Sequence, residues 1–150
     1  MRGLAWAFRP ATAADTEAVA ALLTHLGYET DSKGLEQRLV TLVRSPDDTV
    51  LVDERDGVVG LVVVSRTHSL IDPSLFGRIT ALCVAPDHQR RGVGEDLVRA
   101  AEAWLVARGV RLVQVNCGRR PEREAAHEFY PSMGYRDQHD HHVLYEKHLQ

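Results

Sequence analysis

The stretch that decides the fold is residues 79–110, ITALCVAPDHQRRGVGEDLVRAAEAWLVARGV. Its first six residues complete the segment of residues 77–84, GRITALCV, which predicts a strand closed by Ala85-Pro86. Its second half places apolar residues at helical spacing from Val93 to Trp104, with charged residues on the other side. Gly109 ends that helix at a position typical of left-handed backbone. The stretch therefore predicts a strand, a glycine-containing loop and an amphipathic helix in succession.

The remaining elements surround this stretch in an order typical of a mixed α/β protein. Strands are predicted at residues 6–9, 49–53, 58–64 and 111–116, and helices over residues 12–27, 35–43 and 121–134. The turn dipeptide Asp56-Gly57 predicts a hairpin, and Thr12 with Asp15 resembles a helix cap. The tail, residues 135–149, is predicted to add one or two closing strands. Together these elements predict a sheet with helices packed on it.

Length and composition favour one globular domain. The chain has 150 residues, of which 44% are apolar and 26% charged. A chain of this size buries roughly 70% of its unfolded surface, which is enough for a proper core. These fractions exclude a disordered or fibrous protein. We therefore expect residues 1–150 to form a single domain.

Charge and cysteine content limit the compartment and the partners. No run approaches the roughly 20 apolar residues of a membrane span, and the first residues lack the apolar core of a signal peptide. Cys83 and Cys117 make no disulfide framework, so we expect a cytoplasmic protein with no membrane partner. The 18 basic and 21 acidic side chains give a net charge of −3. Nucleic acid is therefore not an expected partner, because its phosphates favour a basic excess.

The loop of residues 89–94, QRRGVG, has the properties of an anion site. The first turn of a helix leaves backbone N–H groups unpaired and carries about half a positive charge. Gly92 and Gly94 lack the Cβ atoms that would keep an anion away from those groups, and Arg90 and Arg91 add positive charge. The loop therefore predicts binding of a phosphate or a pyrophosphate.

Two common nucleotide-binding motifs do not fit this loop. A P-loop needs Gly-Lys-Ser/Thr, whereas Glu95 and Asp96 follow Gly94 here. The dinucleotide fingerprint needs a third glycine, and Leu97 stands at that position. Considered alone, the loop also fits a tight turn that simply opens an ordinary helix.

Three segments together resemble the GCN5-related N-acetyltransferases (GNAT). Val84-Ala85-Pro86, followed by Gln-x-x-Gly-x-Gly at residues 89–94, is similar to that family's coenzyme signature. Residues 8–15, FRPATAAD, resemble its first strand and helix, and residues 126–135, AHEFYPSMGY, resemble its late helix. The resemblance implies a GNAT-type acyl-CoA acyltransferase fold, with a mixed, mostly antiparallel central sheet and helices on both faces. It also implies N-acetyltransferase activity, with acetyl-CoA as co-substrate.

The resemblance implies a coenzyme site at the loop and at the strand before it. In the family, the pyrophosphate rests on the loop amides and the pantetheine arm pairs with that strand. The two central strands, here residues 77–84 and 111–116, splay apart to admit the acetyl thioester. The cofactor-binding positions so implied are Leu82, Cys83, Val84, Gln89, Arg90, Arg91, Gly92, Val93, Gly94 and Asn116.

The catalytic residues that the resemblance implies are Tyr130, Asn116 and Thr80. Tyr130 has the position of the usual general acid, and a phenol with a pKa of about 10 can protonate a thiolate; packing through its ring is the alternative. Many relatives carry a glutamate base on the strand where this sequence has Thr80 and Ala81. A hydroxyl-held water is then the expected proton path. Asn116 would orient the amine, the pantetheine amide or a water, or would cap its strand.

Two further groups of residues have a functional and a structural interpretation. Cys83 has no obvious base nearby in sequence, so we expect a buried strand cysteine and no acyl-enzyme. The residues His139, Asp140, His141 and His142 are of metal-ligand types but lack a firm ligand spacing. We therefore predict a solvated strand end there and no metal.

The acceptor is the least defined part of the prediction. In the family, residues 25–31 and 68–76 would shape its pocket, and the expected acceptor is a primary amine of a small molecule. Glu29, Asp31 and Asp72 would favour a cationic amine, or are solvated loop acids. The alternative is a catalytically silent acyl-CoA sensor or a partner-binding module on the same scaffold. A homodimer is compatible with the resemblance.

Overall fold

A computed structural model of the chain describes residues 8–71, 75–116, 124–138, 140–141 and 144–149. The chain divides into two units, Met1–Asn116 and Cys117–Gln150. The first unit contains the whole described sheet and the glycine loop. The second contains the last described helix.

Five strands form one sheet in chain order: β1 Phe8–Pro10, β2 Asp48–Arg55, β3 Gly57–Thr67, β4 Phe76–Val84 and β5 Leu112–Val115. The pairs β1–β2, β2–β3 and β3–β4 are antiparallel, and the pair β4–β5 is parallel. A parallel pair needs a crossover connection, which the helix after the glycine loop supplies. The predicted mixed, mostly antiparallel sheet is confirmed.

The helices are α1 Thr16–His25, α2 Ser32–Arg44, α3 Val93–Val106 and α4 Glu124–Ser132. A capping box precedes α1, as predicted: the Ala14 N–H donates to Thr12 Oγ1 at 3.3 Å, and the Thr12 N–H donates to Asp15 Oδ2 at 2.8 Å. None of the described helices is both long and apolar enough to cross a membrane.

Helices cover both faces of the sheet. Val52 and Leu61 are buried in one cluster with Leu39 of α2 and residues of α1. The residue before Leu61 in β3 is Gly60, which faces the opposite side of the sheet, because a Cβ there would lie 2.9 Å from Leu97 Cδ1 of α3. A Cβ at Gly77 of β4 would likewise collide with the side chain of Leu105. The sheet is therefore packed between α1 and α2 on one face and α3 on the other, as the resemblance implies.

The C-terminal tail differs from the prediction. None of the tail residues that the structure describes lies in a strand, so the closing strands predicted within residues 135–149 are wrong for those residues. Leu144, Tyr145 and Leu149 are exposed. An apolar pattern indicates strand propensity, but a strand forms only where a neighbouring edge pairs its backbone groups. Trp6 of the first predicted strand and Pro121 of the last predicted helix lie outside the described residues.

Candidate active site

The pairing between β4 and β5 stops before the end of β4 that leads into the glycine loop, and the edge of β4 left without a described strand partner is called the gap here. Their parallel register runs from Phe76 opposite Leu112 to Ile79 opposite Val115. Beyond Ile79, residues 81–84 of β4 have β3 as their strand partner in the described sheet. The pairing of the two central strands thus ends at Ile79 and Val115, which is where the resemblance implies that they separate.

A β-bulge in β4 coincides with this gap. Val63 pairs with Ala81 and Val64 pairs with Ile79, which leaves Thr80 as the extra residue of β4. Thr80 is exposed, and its hydroxyl donates to the Val63 carbonyl at 3.4 Å. The bulge therefore places the Thr80 hydroxyl at the start of the gap.

Two residues of β4 direct their peptide groups into the gap. The Ala85 N–H donates to the Val59 carbonyl at 2.8 Å, toward β3. Alternate residues of an antiparallel ladder face the same neighbour, so Cys83 also faces β3, whereas Leu82 and Val84 face the gap. Of the three predicted strand positions, Leu82 and Val84 are therefore available to an incoming molecule. The peptide groups of Cys83 are directed to β3, and the predicted Cys83 contact does not fit this geometry.

The glycine loop presents a row of backbone N–H groups. Arg90 has φ 62° and Gly92 has φ 84°, and these left-handed residues turn the chain before α3 begins at Val93. In the described part of the chain, no well-aligned acceptor contacts the N–H groups of Arg90, Arg91, Gly92, Val93 or Gly94. Successive N–H groups around left-handed residues form an anion-binding concavity. The loop and the adjoining open edge of β4 fit an extended molecule that carries a diphosphate.

Gln89 connects the loop to the strand. Its Nε2 donates to the Val84 carbonyl at 3.3 Å. The Gln89 side chain is therefore directed to β4 and away from the row of N–H groups. Because a carbonyl oxygen has two lone pairs, the Val84 carbonyl can still accept a second donor from the gap.

The remaining predicted catalytic residues lie in different units. Asn116 is exposed and directly follows β5, so its backbone is at the gap with Thr80. Tyr130 lies on α4 in the second unit and is 6% exposed. Its ring contacts Phe129 edge to face, with 5.2 Å between ring centroids. The first unit thus brings together all predicted site residues except Tyr130.

The other candidates have structural roles or lie outside the described residues. Cys83 is 3% exposed and belongs to the core under α1 and α2, as expected for a strand cysteine. Asp31 caps α2 by accepting the Gly34 N–H at 2.9 Å, while Asp72 lies outside the described residues. His139 and His142 also lie outside them, and the described residues contain no cluster of three or more metal-ligating side chains.

One polar pair beside the gap was not predicted. Arg78 of β4 donates through Nη2 to Gln114 Oε1 of β5 at 3.3 Å. The sequence places an arginine and a glutamine in two predicted strands, but their meeting depends on the register between strands 36 residues apart. Only that register identifies the pair.

Comparison with known families gives one match. A family described as acetyltransferase (GNAT) domain matches residues 46–137. This range includes β2 to β5, the glycine loop and α4. No curated protein matches the chain in sequence.

Solved structures share the fold over nearly the whole chain. The BH1408 protein from Bacillus halodurans, solved as a tetramutant, is 25% identical with a TM-score of 0.77, over 95% of this chain and 99% of that one. The aminoglycoside N-acetyltransferase AAC(6')-Iy in complex with CoA is 17% identical with a TM-score of 0.81, over 95% and 94% of the chains. The aminoglycoside 6'-N-acetyltransferase AAC(6')-IG from Acinetobacter haemolyticus is 19% identical with a TM-score of 0.80, over 95% and 99%.

Proposed function

The chain belongs to the GNAT acetyltransferase family and is an N-acetyltransferase with acetyl-CoA as co-substrate, and from this premise we propose that it acetylates a primary amine of a small molecule. One observation carries the proposal. The N–H groups of Arg90 to Gly94, which have no well-aligned acceptor among the described residues, adjoin the open edge of β4, and this edge leads into the gap beside Thr80. This arrangement suits a diphosphate-bearing acyl carrier whose acyl end reaches the gap.

In the proposed reaction, the uncharged amine attacks the thioester carbon. A C–N bond forms as the C–S bond breaks, the sulfur leaves as a thiolate and takes up a proton, and the amine nitrogen loses one. The products are an acetamide and the free coenzyme thiol. Holding the two reactants in line supplies much of the acceleration, on the order of 7–11 kcal/mol in well-oriented systems.

We assign binding and proton transfer to separate residues. The N–H groups of Arg90 to Gly94 hold the diphosphate, and the peptide groups of Leu82 and Val84 pair with the pantetheine arm. The Thr80 hydroxyl and Asn116 orient the amine or a water that accepts its proton. Tyr130 protonates the thiolate. Tyr130 belongs to the second unit, but the GNAT match spans residues of both units, which supports one functional domain.

The small-molecule acceptor is supported by two of the structures with this fold, which are aminoglycoside N-acetyltransferases. The described candidate carboxylates do not favour a polycationic acceptor. Asp31 already caps α2, and Glu29 is an exposed residue of the same loop. We therefore propose a small amine without assigning an aminoglycoside.

A silent acyl-CoA sensor is the second candidate, because β4 carries Thr80 and Ala81 where many relatives have a glutamate base. Two measurements separate the candidates. Calorimetry with acetyl-CoA measures binding, and release of free thiol with a panel of primary amines measures transfer. We expect both signals. Binding without amine-dependent thiol release would support the sensor, and no heat at millimolar coenzyme would contradict both.

Location and assembly are further parts of the proposal. We propose a cytoplasmic enzyme, because acetyl-CoA is supplied there. A homodimer stays a prediction, which light scattering of the purified protein tests directly.

A further inference from the structure

Arg78 lies on β4 two residues before the bulge residue Thr80. Its register partners are Ser65 on β3 and Gln114 on β5. Gly77 faces Leu105 of α3, so alternation directs the Arg78 side chain to the opposite face, which α1 and α2 cover. The guanidinium therefore lies on the α1–α2 face of the sheet, just before the gap opens.

The Arg78 guanidinium is poorly satisfied. Within the described part of the chain, the half-buried side chain makes one hydrogen bond, to the neutral Gln114 Oε1 at 3.3 Å. Its Nε is buried, and no described residue accepts a hydrogen bond from it. Among the described residues, no carboxylate lies within 4 Å of it. The adjacent Ser65 hydroxyl is bonded to Asp48.

Partial burial of a guanidinium costs free energy unless a hydrogen-bond acceptor or an anion pairs with it. A guanidinium has five N–H donors, and a shielded N–H without an acceptor loses its water without compensation. Four other arginines of the described chain pair with a carboxylate: Arg9 with Asp15, Arg55 with Asp53, Arg66 with Asp47 and Arg99 with Glu95. Among the described residues Arg78 has no such carboxylate, although the planar fork of a guanidinium is suited to binding one.

The location of Arg78 relative to the loop indicates which reactant would supply the anion. The glycine loop follows the C-terminal end of β4, so the coenzyme enters from Val84 toward Thr80. Arg78 lies beyond Thr80 in the other direction, at about 7 Å along the strand for two residues. A group bound at Arg78 is therefore separated from the diphosphate by the reacting centre.

We propose that Arg78 is a specificity-determining residue that binds a carboxylate of the acceptor, so that the acceptor is a small amino acid-like amine. The inference rests on the proposed function and names its substrate class. The carboxylate occupies the guanidinium fork, and a short carbon chain carries the amine into the gap.

Matched amines test this directly. L-lysine and pentane-1,5-diamine differ only by the carboxylate, as do 4-aminobutanoate and propylamine. We expect the wild-type kcat/KM to favour the carboxylated amine of each pair by at least tenfold. In Arg78→Gln the preference should fall at least tenfold, through KM for the amine and not KM for acetyl-CoA. Arg99→Gln, the same charge change at an exposed position of α3, should keep the preference.

The outcomes are distinguishable. A wild-type enzyme that acetylates the diamine and propylamine as well as their carboxylated partners overturns the inference and leaves the proposed function intact. So does a preference that survives in Arg78→Gln. If none of these four amines reacts but another primary amine of the panel does, the inference is overturned and the proposed function stands; if acetyl-CoA binds and no amine of the panel reacts, the proposed function itself fails. Arg78→Lys keeps the charge without the fork, and an intermediate preference in it supports the inference even if Arg78→Gln does not fold.

Discussion

The rings of Tyr130 and Tyr135 meet edge to face, with centroids 5.6 Å apart and planes at 70°. The Tyr135 N–H also donates to the Tyr130 carbonyl at 3.1 Å. Aromatic pairs in this geometry contribute about 0.5–1.5 kcal/mol beyond the area they bury. The orientation of the Tyr130 ring is therefore fixed by its own segment of chain, which a proton donor requires.

Tyr130→Phe keeps this ring packing and removes the phenol. If Tyr130 protonates the leaving thiolate, kcat should fall about 100-fold or more, the usual range for a general acid. Coenzyme affinity measured by calorimetry should stay within about twofold. Tyr135→Phe is the matched control, with the same atom removed from the partner ring and kcat near the wild-type value. An unchanged kcat in Tyr130→Phe would remove the assigned role.

Gly92→Ala tests the anion loop. At φ 84° an alanine is strained by roughly 1–2 kcal/mol, and the loop N–H groups should lose their alignment. We expect weaker binding of coenzyme A by calorimetry, at least tenfold, together with a small loss of unfolding free energy. Gly57→Ala carries the same strain at φ 90° in the β2–β3 turn, where a Cβ meets nothing within 4 Å. Equal coenzyme affinity in the two variants would contradict the loop assignment.

Thr80→Val tests the hydroxyl at the bulge. Valine keeps the branched shape that suits a strand and removes only the hydrogen-bonding atom. We expect kcat to fall several-fold with unchanged coenzyme affinity, because the water that accepts the amine proton loses its anchor. Thr80→Ser should recover most of the rate. Full activity in Thr80→Val would exclude the hydroxyl from proton transfer.

Stability should depend on pH through Asp15. Hydrogen bonds from the Arg9 guanidinium, at 2.8 Å to each carboxylate oxygen, lower the pKa of Asp15 in the folded state. A lowered folded pKa means that this stabilisation is complete above the unfolded value of about 3.9 and is lost as the pH falls through the folded pKa.

Asp15→Asn should therefore lower the unfolding free energy by about 2 kcal/mol at pH 7, the scale of a charge-assisted hydrogen bond. Urea unfolding at pH 7, 5, 4 and 3 measures the difference from wild type. The difference should be constant between pH 7 and 5 and should narrow below about pH 4, near the unfolded pKa. A difference that is the same at every pH would contradict the role of the Asp15 charge.

The parts of the structure that could be predicted from sequence are those that neighbouring residues decide. The cap at Thr12 and Asp15, the hairpin at Gly57 and the turn at Gly92 depend on local backbone chemistry, and all three are confirmed. The bulge at Thr80 and the Arg78–Gln114 pair depend on how distant strands align. No local pattern encodes that alignment, because a shift of one residue changes every partner.

For the tail residues that the structure describes, the strand prediction was wrong for the same physical reason. Apolar residues such as Leu144 and Tyr145 favour a strand locally, but pairing needs an available edge elsewhere in the fold. The position of Tyr130 in its family motif, by contrast, depends neither on strand register nor on an available sheet edge. Its role as the general acid stays a prediction.

The order of the strands has a consequence for biosynthesis. Because β2, β3 and β4 are consecutive antiparallel neighbours, a nascent chain can assemble them by closing short loops. β5 joins only after α3 has emerged, so β4 remains the edge strand of that assembly until residue 115 is synthesised. A polypeptide interrupted before that point would present a long apolar edge that promotes aggregation.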